Sequence, residues 1–164
     1  MSAFWNFWQS LTGMTHTLRR LTREDAGPAA QLHAAGFADP WSAASIEALI
    51  ETANVCALGT EGEGGLLAFA LFQSAAGESE LLTIATAPSR RGEGLAGQLI
   101  EAALPALAEE GNTRLLLDVA EDNTPARRLY VRLGFTEDGR RKGYYTAGRP
   151  APVDALLMSR AIGG

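Results

Sequence analysis

The chain has 164 residues, 46% hydrophobic and 20% charged, which is enough for one globular domain with a full core. Its net charge of −5 argues against nonspecific nucleic-acid binding, and no apolar stretch approaches the ~20 residues of a membrane-spanning helix. The single cysteine, Cys56, lies in an apolar run without metal-ligand spacing, so we expect a core thiol, no metal site and a reducing, cytoplasmic compartment.

The first 13 residues are predicted to be an aromatic extension that precedes a domain at 14–164. Apolar residues there recur at the spacing of a short amphipathic helix, namely Phe4, Phe7, Trp8 and Leu11. No Lys or Arg precedes Arg19, which argues against a secretory signal. The extension could dock on the domain, touch a membrane surface or a partner, or be an added leader before a true start at Met14.

The first half of the domain is predicted to hold two helices and four strands. In chain order these are a strand at 17–21, a helix at 23–36, a loop at 40–42, a helix from 42 or 45 to 51, a strand at 55–60, its hairpin partner at 66–73 and, after a turn at 75–79, a strand at 80–86. Thr22 is a candidate cap for the first helix, with Asp25 in its first turn.

The second half alternates helices and strands. The predicted elements are a helix at 94–110, a strand at 113–119 buried on both faces, a helix at 123–133 and strands at 135–142 and 154–160 with a loop at 146–153 between them. Pro105 is expected to kink the first of these helices or end it early. The order indicates a mixed α/β domain.

The segment between the strand at 80–86 and the following helix has the composition of a phosphate site. Gly92 and Gly94 allow a ligand to approach the backbone, and the N–H groups of a helix start attract an anion. Arg90 and Arg91 can add charge-assisted contacts. Gly97 completes a dinucleotide-type spacing, but no acidic residue follows at the end of a second strand. An ordinary strand-to-helix loop is the alternative.

Three polar residues form a second cluster further along the chain. Asp118 lies in an apolar strand, where a carboxylate becomes more basic and can act as a general base, or else pairs with an arginine or a loop N–H. Tyr130 can donate a proton to a leaving group, or else packs in the core with an exposed tip. Asn123 can cap a helix and can also hold a ligand amide.

Four segments in this order resemble the GCN5-related N-acetyltransferases (GNATs). They are FADPWS at 37–42, LLTIATAPSRRGEGLAGQLI at 81–100, LLLDVAEDNTPARRLYVRLGF at 115–135 and GRRKGYYTAGRPAPVDALLM at 139–158. The third and fourth are especially similar to the bacterial enzymes that acetylate the N-terminal alanine of ribosomal protein S18. The resemblance covers about residues 17–162 and implies an α/β fold, with a mixed, mostly antiparallel central sheet, a splay between two parallel strands, and flanking helices.

The resemblance also implies the site and its co-substrate, acetyl-CoA. The backbone of Ile84, Ala85 and Thr86 would bind the pantetheine arm. The pyrophosphate would lie on a cradle formed by Arg90, Arg91, Gly92, Glu93, Gly94 and Leu95, and Asn123 would contact the cofactor further along. Tyr130 would protonate the departing thiolate, and a base would take the proton of the acceptor amine, directly or through water. No metal is implied.

The identity of the base and of the acceptor stays open. The related alanine acetyltransferases carry a glutamate where this chain has Asp118, which makes an intervening water more probable, and Glu80 or Glu78 is a reserve candidate. The leading expectation is acetylation of a protein N-terminus, the alanine of ribosomal protein S18, with Tyr144, Tyr145 and the loop at 146–153 lining the peptide groove. The alternatives are a GNAT acting on a small amine, such as an amino acid, a polyamine or an aminoglycoside, and a non-catalytic acyl-CoA-binding module.

Overall fold

The computed structural model describes residues 16–163, and the aromatic extension predicted at 1–13 lies outside them. The strands are β1 (His16–Arg20), β2 (Val55–Gly62), β3 (Gly65–Ala75), β4 (Glu78–Thr86), β5 (Arg114–Ala120), β6 (Thr136–Tyr145) and β7 (Val153–Ala161). The α-helices are α1 (Ala26–Gly36), α2 (Ala43–Ile50), α3 (Leu95–Glu109) and α4 (Thr124–Arg132). No helix within residues 16–163 is both long and apolar enough to span a membrane.

The seven strands form one sheet in the order β1-β2-β3-β4-β5-β7-β6. All neighbouring pairs are antiparallel except β4 and β5, which run parallel. This is the predicted mixed and mostly antiparallel sheet. Its one parallel pair lies near the middle, where a crossover through α3 connects β4 to β5.

The two parallel strands separate soon after they meet. Their ladder holds three pairs, which run from Glu78 opposite Arg114 to Glu80 opposite Leu116. Both strands continue past this point, β4 to Thr86 and β5 to Ala120, without further pairs between them in the described residues. The predicted splay is therefore present, and it leaves a gap between β4 and β5 near the centre of the sheet.

Each face of the sheet has its own apolar core, because successive strand residues point to opposite faces. One core joins alternate residues of β2, β3 and β5 to α3 and α4, for example Phe72 and Leu117 with Leu99. The other joins the intervening residues of β2 and β3 to α1 and α2, for example Phe69 with Ile46. Cys56 is buried in the first core, as predicted.

Several predicted boundaries in the first half are displaced. The helix predicted at 23–36 starts with a 3₁₀ turn, Arg23–Asp25, in which the Asp25 carboxylate accepts the Thr22 N–H at 2.7 Å. The turn predicted at 75–79 is shorter, because Ala76 and Gly77 adopt positive φ values of 53° and 80° and close a two-residue hairpin. Strand β4 therefore begins at Glu78 rather than at residue 80.

In the second half, one prediction is wrong and one of two alternatives for Pro105 is excluded. Helix α3 does not end early: Pro105 lies inside it, and side chains on either side, among them Ala103 and Leu107, are buried. A kink at Pro105 stays a prediction. Strand β5 is not buried on both faces: Leu115 and Leu117 are buried, whereas Asp118 is only half-buried. Helices α1 and α2 pack on β2, β3 and β4, and this leaves the other face of β5 accessible.

Candidate functional site

A glycine loop joins β4 to α3 beside the splay. A 3₁₀ turn, Pro88–Arg90, is followed by Gly92 and Gly94, whose φ values of +84° and +81° lie in the left-handed region. A Cβ added at either glycine would meet no protein atom within 4 Å. The glycines are therefore required by the backbone conformation, and the space in front of them is open.

The N–H groups at the start of α3 are free to bind an anion. Gly94 precedes the helix without a side-chain cap, and its carbonyl accepts the Gln98 N–H at 3.1 Å. Within residues 16–163, the backbone N–H groups of 91–97 donate to no protein acceptor. The Leu95 side chain is buried in the core and anchors this first turn. The predicted cradle thus has an anchored base and unused donors.

The charged side chains of the loop differ in their partners. Arg90 lies 3.5 Å from the Glu93 carboxylate, so part of its charge is already compensated. Arg91 is exposed and has no ion-pair partner in the described part of the chain. A Cβ on Gly36 would lie 3.3 Å from Arg91 Nη2, which places this guanidinium beside the end of α1.

The segment predicted to bind pantetheine lies along the splay. Residues 84–86 pair with β3 on one side, through Ala70, Phe69 and Ala68. The described residues offer no ladder partner on the other side, which faces the gap towards β5. The side chain of Ile84 packs against the core beneath α3, whereas Ala85 is buried in the opposite core. The backbone edge of this segment is thus available to a ligand.

A groove of about 590 Å³ lies across the paired base of β4 and β5 and extends to β6. Three of its four lining residues on β5, Arg114, Leu116 and Asp118, alternate with the residues that face α3 and α4, so the groove opens on the opposite face of the sheet from α3. The fourth, Leu117, belongs to the core beneath α3. The lining includes four carboxylates and two arginines, namely Glu78, Glu80, Asp118, Asp138, Arg114 and Arg141. The groove is therefore acidic and suits a cationic ligand.

Among these carboxylates, Asp118 lies nearest to the splay. It is two residues beyond Leu116, the last residue of β5 that pairs with β4. Its carboxylate lies 3.8 Å from Arg141 Nη1, which is the arginine pairing foreseen as the alternative to a base. The reserve candidates Glu78 and Glu80 lie in the paired part of β4, and Glu78 contacts Arg114 at 3.2 Å.

Tyr130 lies on α4 and packs against Phe135 with a ring distance of 5.7 Å. Burial, with a smaller contribution from the negative charge that Tyr145 can carry, raises the pKa of Tyr130 to about 12. Its hydroxyl forms no hydrogen bond within residues 16–163. Among these residues, the one fully buried side-chain polar atom without a partner is Thr60 Oγ1, so the Tyr130 hydroxyl reaches accessible space. Tyr130 is therefore a neutral phenol with a buried ring and an available proton.

Tyr145, at the end of β6, is electrostatically coupled to both candidates. The charges of Asp118 and Tyr144 add to burial in raising its pKa, and its own charge in turn raises the pKa of Tyr130. Tyr145 therefore lies within electrostatic reach of Asp118 on β5 and of Tyr130 on α4.

Asn123 has the helix-capping role predicted for it. Its Oδ1 accepts the Ala126 N–H at 3.3 Å, just before Thr124 begins α4. The residue is exposed, and its side-chain N–H groups donate to no described protein acceptor. Its predicted contact with the cofactor stays a prediction.

The sequence did not reveal the contact that anchors the loop at 146–152. Arg149 donates two hydrogen bonds to Asp122, at 2.9 and 3.0 Å, and its guanidinium lies 5.4 Å from the centre of the Tyr145 ring. This pairing lowers the pKa of Asp122. It connects the β6–β7 loop to the β5–α4 loop beside Asn123. Partners that lie 27 residues apart carry no signal in a single sequence.

The arrangement provides two approaches to one gap. Unused N–H groups lie in the loop before α3, where Arg91 lies beside the end of α1, and the acidic groove with Asp118 opens on the face of the sheet opposite α3. Among the described residues, no three His, Cys, Asp or Glu side chains converge to form a metal site. These groups suit a bound phosphate chain, a cationic acceptor and proton transfer between them.

Comparison with known proteins agrees with this architecture. The sequence matches the Acetyltransferase (GNAT) family over residues 18–135. It is 32% identical over 153 residues to the N-alpha-acetyltransferase RimI of Mycobacterium tuberculosis, and the match covers 90% of this chain and 93% of that protein.

Two solved structures share the fold. The ribosomal-protein-S18-alanine N-acetyltransferase of Escherichia coli superimposes with a TM-score of 0.83 at 28% identity, over 91% of this chain and 95% of that one. NAA60 of Arabidopsis thaliana in complex with acetyl-CoA has a TM-score of 0.80 over 92% and 100% of the two chains. At 18% identity, the second likeness concerns the fold alone.

Proposed function

The chain belongs to the acetyltransferase (GNAT) family of enzymes, and we propose that it transfers acetyl from acetyl-CoA to the N-terminal alanine of ribosomal protein S18. The observation that carries the proposal is the splay, which is approached by free main-chain donors from one face and by an acidic groove from the other. Two substrates that enter from opposite faces meet there, and much of the rate comes from holding them together.

The donor side fits acetyl-CoA, which supplies the acetyl group as a thioester. The N–H groups around Gly92 and Gly94 bind its pyrophosphate, and the unpaired Arg91 adds a charged contact. The free backbone edge of 84–86 binds the pantetheine arm in the position of a missing strand. Asn123 holds the arm from α4 through its unused side-chain N–H groups.

The acceptor side supplies the proton chemistry. Asp118 takes the proton of the acceptor ammonium, through a water molecule because its side chain is short. The neutral amine then attacks the thioester carbon, and an N–H group of β4 polarises the carbonyl oxygen. The tetrahedral centre collapses as Tyr130 gives its proton to the departing sulfur, and the second proton that the amine nitrogen loses restores the phenol. The high pKa of Tyr130 keeps the phenol protonated at neutral pH, so the proton is present when the thiolate departs.

A protein N-terminus is the acceptor that the observations favour. Two proteins to which this chain is similar are named for protein N-terminal or N-alpha acetylation. The groove is open at the surface and carries four carboxylates against two arginines, which suits a cationic peptide. A deep and enclosed pocket would suit a small amine better.

The test is acetylation of two matched peptides followed by intact-mass spectrometry. One peptide carries the first ten residues of ribosomal protein S18 from the source organism, and its control is the same peptide with a blocked N-terminus. We expect one added acetyl group on the free peptide and none on the control. A panel of amino acids, polyamines and aminoglycosides is run in parallel with release of CoA as the readout.

The outcomes separate the three candidate functions. Acetylation of the free peptide alone supports the proposal. CoA release with a small amine and none with the peptide replaces it with the small-amine enzyme. Tight acetyl-CoA binding without turnover on any amine replaces it with a binding module.

A further inference from the structure

His33 is a buried histidine that the proposed chemistry does not use. It lies in the last turn of α1 with 1% of its surface exposed. Both ring nitrogens have partners: the Trp41 N–H lies 3.1 Å from Nδ1, and the Thr83 hydroxyl lies 3.0 Å from Nε2. Thr83 belongs to the splayed part of β4, whereas Trp41 belongs to the loop between α1 and α2.

These partners fix the protonation state of the ring. A backbone N–H can only donate, so Nδ1 of His33 must accept from Trp41 and carry no proton. A neutral imidazole then carries its proton on Nε2 and donates it to Thr83 Oγ1. Protonation of Nδ1 would place two N–H groups against each other and break the contact with the loop.

The ring also lies between two aromatic residues of the same loop. Phe37 stacks on His33 with a ring distance of 3.9 Å and an interplanar angle of 5°, and Trp41 stacks at 5.1 Å and 23°. Phe69 of β3 lies 6.4 Å away beneath them. The loop at 37–42 therefore folds around one imidazole, and its conformation depends on that ring.

This loop and the β6–β7 loop form a wall beside the splayed part of β4, and neither contributes a residue to the lining of the acidic groove. A Cβ on Gly148 would come within 2.8 Å of the Cβ of Ala38, so the loop at 37–42 also contacts the β6–β7 loop. The β6–β7 loop is in turn anchored by Arg149 to Asp122. His33 belongs to this wall. Among the described residues, it is the one side chain that forms hydrogen bonds both with loop 37–42 and with β4.

We propose that His33 is a positioning residue for the acceptor, which as a neutral imidazole holds the loop at 37–42 against β4 and thereby sets the shape of the acceptor entrance. The inference rests on the proposed function for its kinetic part only. Within residues 16–163, the hydrogen bonds and ring contacts of His33 involve neither the donor loop nor the candidates Asp118 and Tyr130. Its loss should therefore weaken acceptor binding and leave acetyl-CoA binding unchanged.

The proposal also implies a pH dependence. The groups packed on the ring are uncharged: Phe37 and Trp41 from the loop, Thr83 from β4 and Phe69 from β3. The ionisable residues of the adjoining segments are Asp39, which is exposed, and Arg91 beside Gly36. Burial lowers the pKa of His33, so the contact persists at neutral pH and is lost in acid.

The kinetic test compares His33→Leu with His33→Gln. Glutamine offers an acceptor and a donor on one side chain and can replace both hydrogen bonds, whereas leucine offers neither. We expect His33→Leu to raise KM for the acceptor peptide by about tenfold, the scale of one or two lost hydrogen bonds that order a loop. KM for acetyl-CoA should not change, and His33→Gln should restore part of the acceptor affinity.

A pH series adds a readout that a purely structural role would not affect. In the wild type, acceptor KM should rise once pH falls below the pKa of His33, which burial holds under its ordinary value, whereas in His33→Gln this rise should be absent. His16→Gln is the matched control, because His16 lies in β1 and its ring Nε2 lies 3.4 Å from the side-chain oxygen of Gln98. An unchanged acceptor KM in His33→Leu, in a variant that unfolds cooperatively, would overturn the proposal.

A spectroscopic test keeps the inference separate from the proposed function. The backbone amide of Trp41 is followed by ¹⁵N NMR from neutral to acidic pH in the full-length protein without substrates. We expect its resonance to titrate in the wild type and not in His33→Gln. If no peptide is acetylated by the wild type, the proposed function fails, but the Trp41 titration still decides whether His33 holds the loop. A Trp41 resonance that is insensitive to pH contradicts the inference.

Discussion

The two sides of the splay are built in different ways. On the proposed donor side, the available groups are main-chain N–H groups next to Gly92 and Gly94, and the space in front of these glycines is open. On the acceptor side, loops are held by side chains, His33 to Trp41 and Arg149 to Asp122. The donor side therefore depends on local backbone conformation, whereas the acceptor side depends on contacts between distant parts of the chain.

The two sides therefore tolerate amino-acid substitution in different ways. A donor site made of backbone can keep its function while most of its side chains vary, provided that the glycines remain. An acceptor site made of side-chain contacts can change its specificity through single substitutions. A common donor and a variable acceptor are what such a fold permits.

The largest expected effect comes from Tyr130→Phe, where the two sides meet. Loss of the phenol proton should lower kcat by about 10²-fold or more, the usual scale of a general acid. Affinity for acetyl-CoA, measured by calorimetry, should stay nearly unchanged, because the ring still packs against Phe135. With a pKa of about 12, Tyr130 should remain a proton donor up to alkaline pH, so kcat in the wild type should not decline at about pH 10. An unchanged kcat in the variant would remove Tyr130 from the mechanism.

Asp118→Asn tests the acceptor side at its carboxylate. We expect kcat/KM for the peptide to fall by about 10²-fold, because the amide cannot take a proton. Asp138→Asn is the matched control, since Asp138 lines the same groove and also contacts an arginine, Arg114 at 3.2 Å. Equal losses in the two variants would mean that the groove needs negative charge rather than a base at position 118.

Gly94→Ala tests the donor side at its backbone. The added methyl meets no protein atom, but it strains a φ of +81° and obstructs the approach of a phosphate. We expect the Kd of acetyl-CoA to rise by about tenfold in calorimetry, the loss of one charge-assisted contact. Gly111→Ala is a close control, with a φ of +87° and equally open surroundings at the other end of α3. Each of the two glycine substitutions should lower the free energy of unfolding by ~1 kcal/mol. Gly111→Ala should leave the Kd of acetyl-CoA unchanged.

The smallest effect concerns a residue remote from both sides. The hydroxyl of Thr60 in β2 is buried and has no hydrogen-bond partner among residues 16–163. Thr60→Val removes this unpaired group at constant shape, and the variant should be more stable by about 1 kcal/mol in urea unfolding. Acetyl transfer should not change. A loss of stability would mean that the hydroxyl does have a partner, such as a water molecule.

The conformation of the proposed donor side was largely predictable from the sequence. Strand, glycines and helix start are consecutive, so Gly92, Gly94 and the first turn of α3 could be placed by local patterns alone. Asn123 likewise precedes the helix that it caps. Residues that follow one another in the chain also lie together in space, so local propensity decides their conformation.

The acceptor side was predictable only in part. The pattern placed Asp118 on a strand, but not its arginine partner Arg141 nor the exposure of that strand face. Nothing in the sequence linked His33 to Thr83, 50 residues away, because such contacts follow from how α1 packs on the sheet. The early end considered for α3 at Pro105 is absent for the same reason: tertiary packing of α3 outweighed a local helix-breaking preference.

The three-pair ladder between β4 and β5 has a mechanical consequence. It divides the sheet into a four-stranded and a three-stranded portion, which share only the pairs from Glu78–Arg114 to Glu80–Leu116. A seam with so few bonds is a natural hinge for slow opening motions, because every other strand junction has more pairs to break. A ligand that bridges the seam would fasten the two portions together, and amide exchange across β5 would slow accordingly.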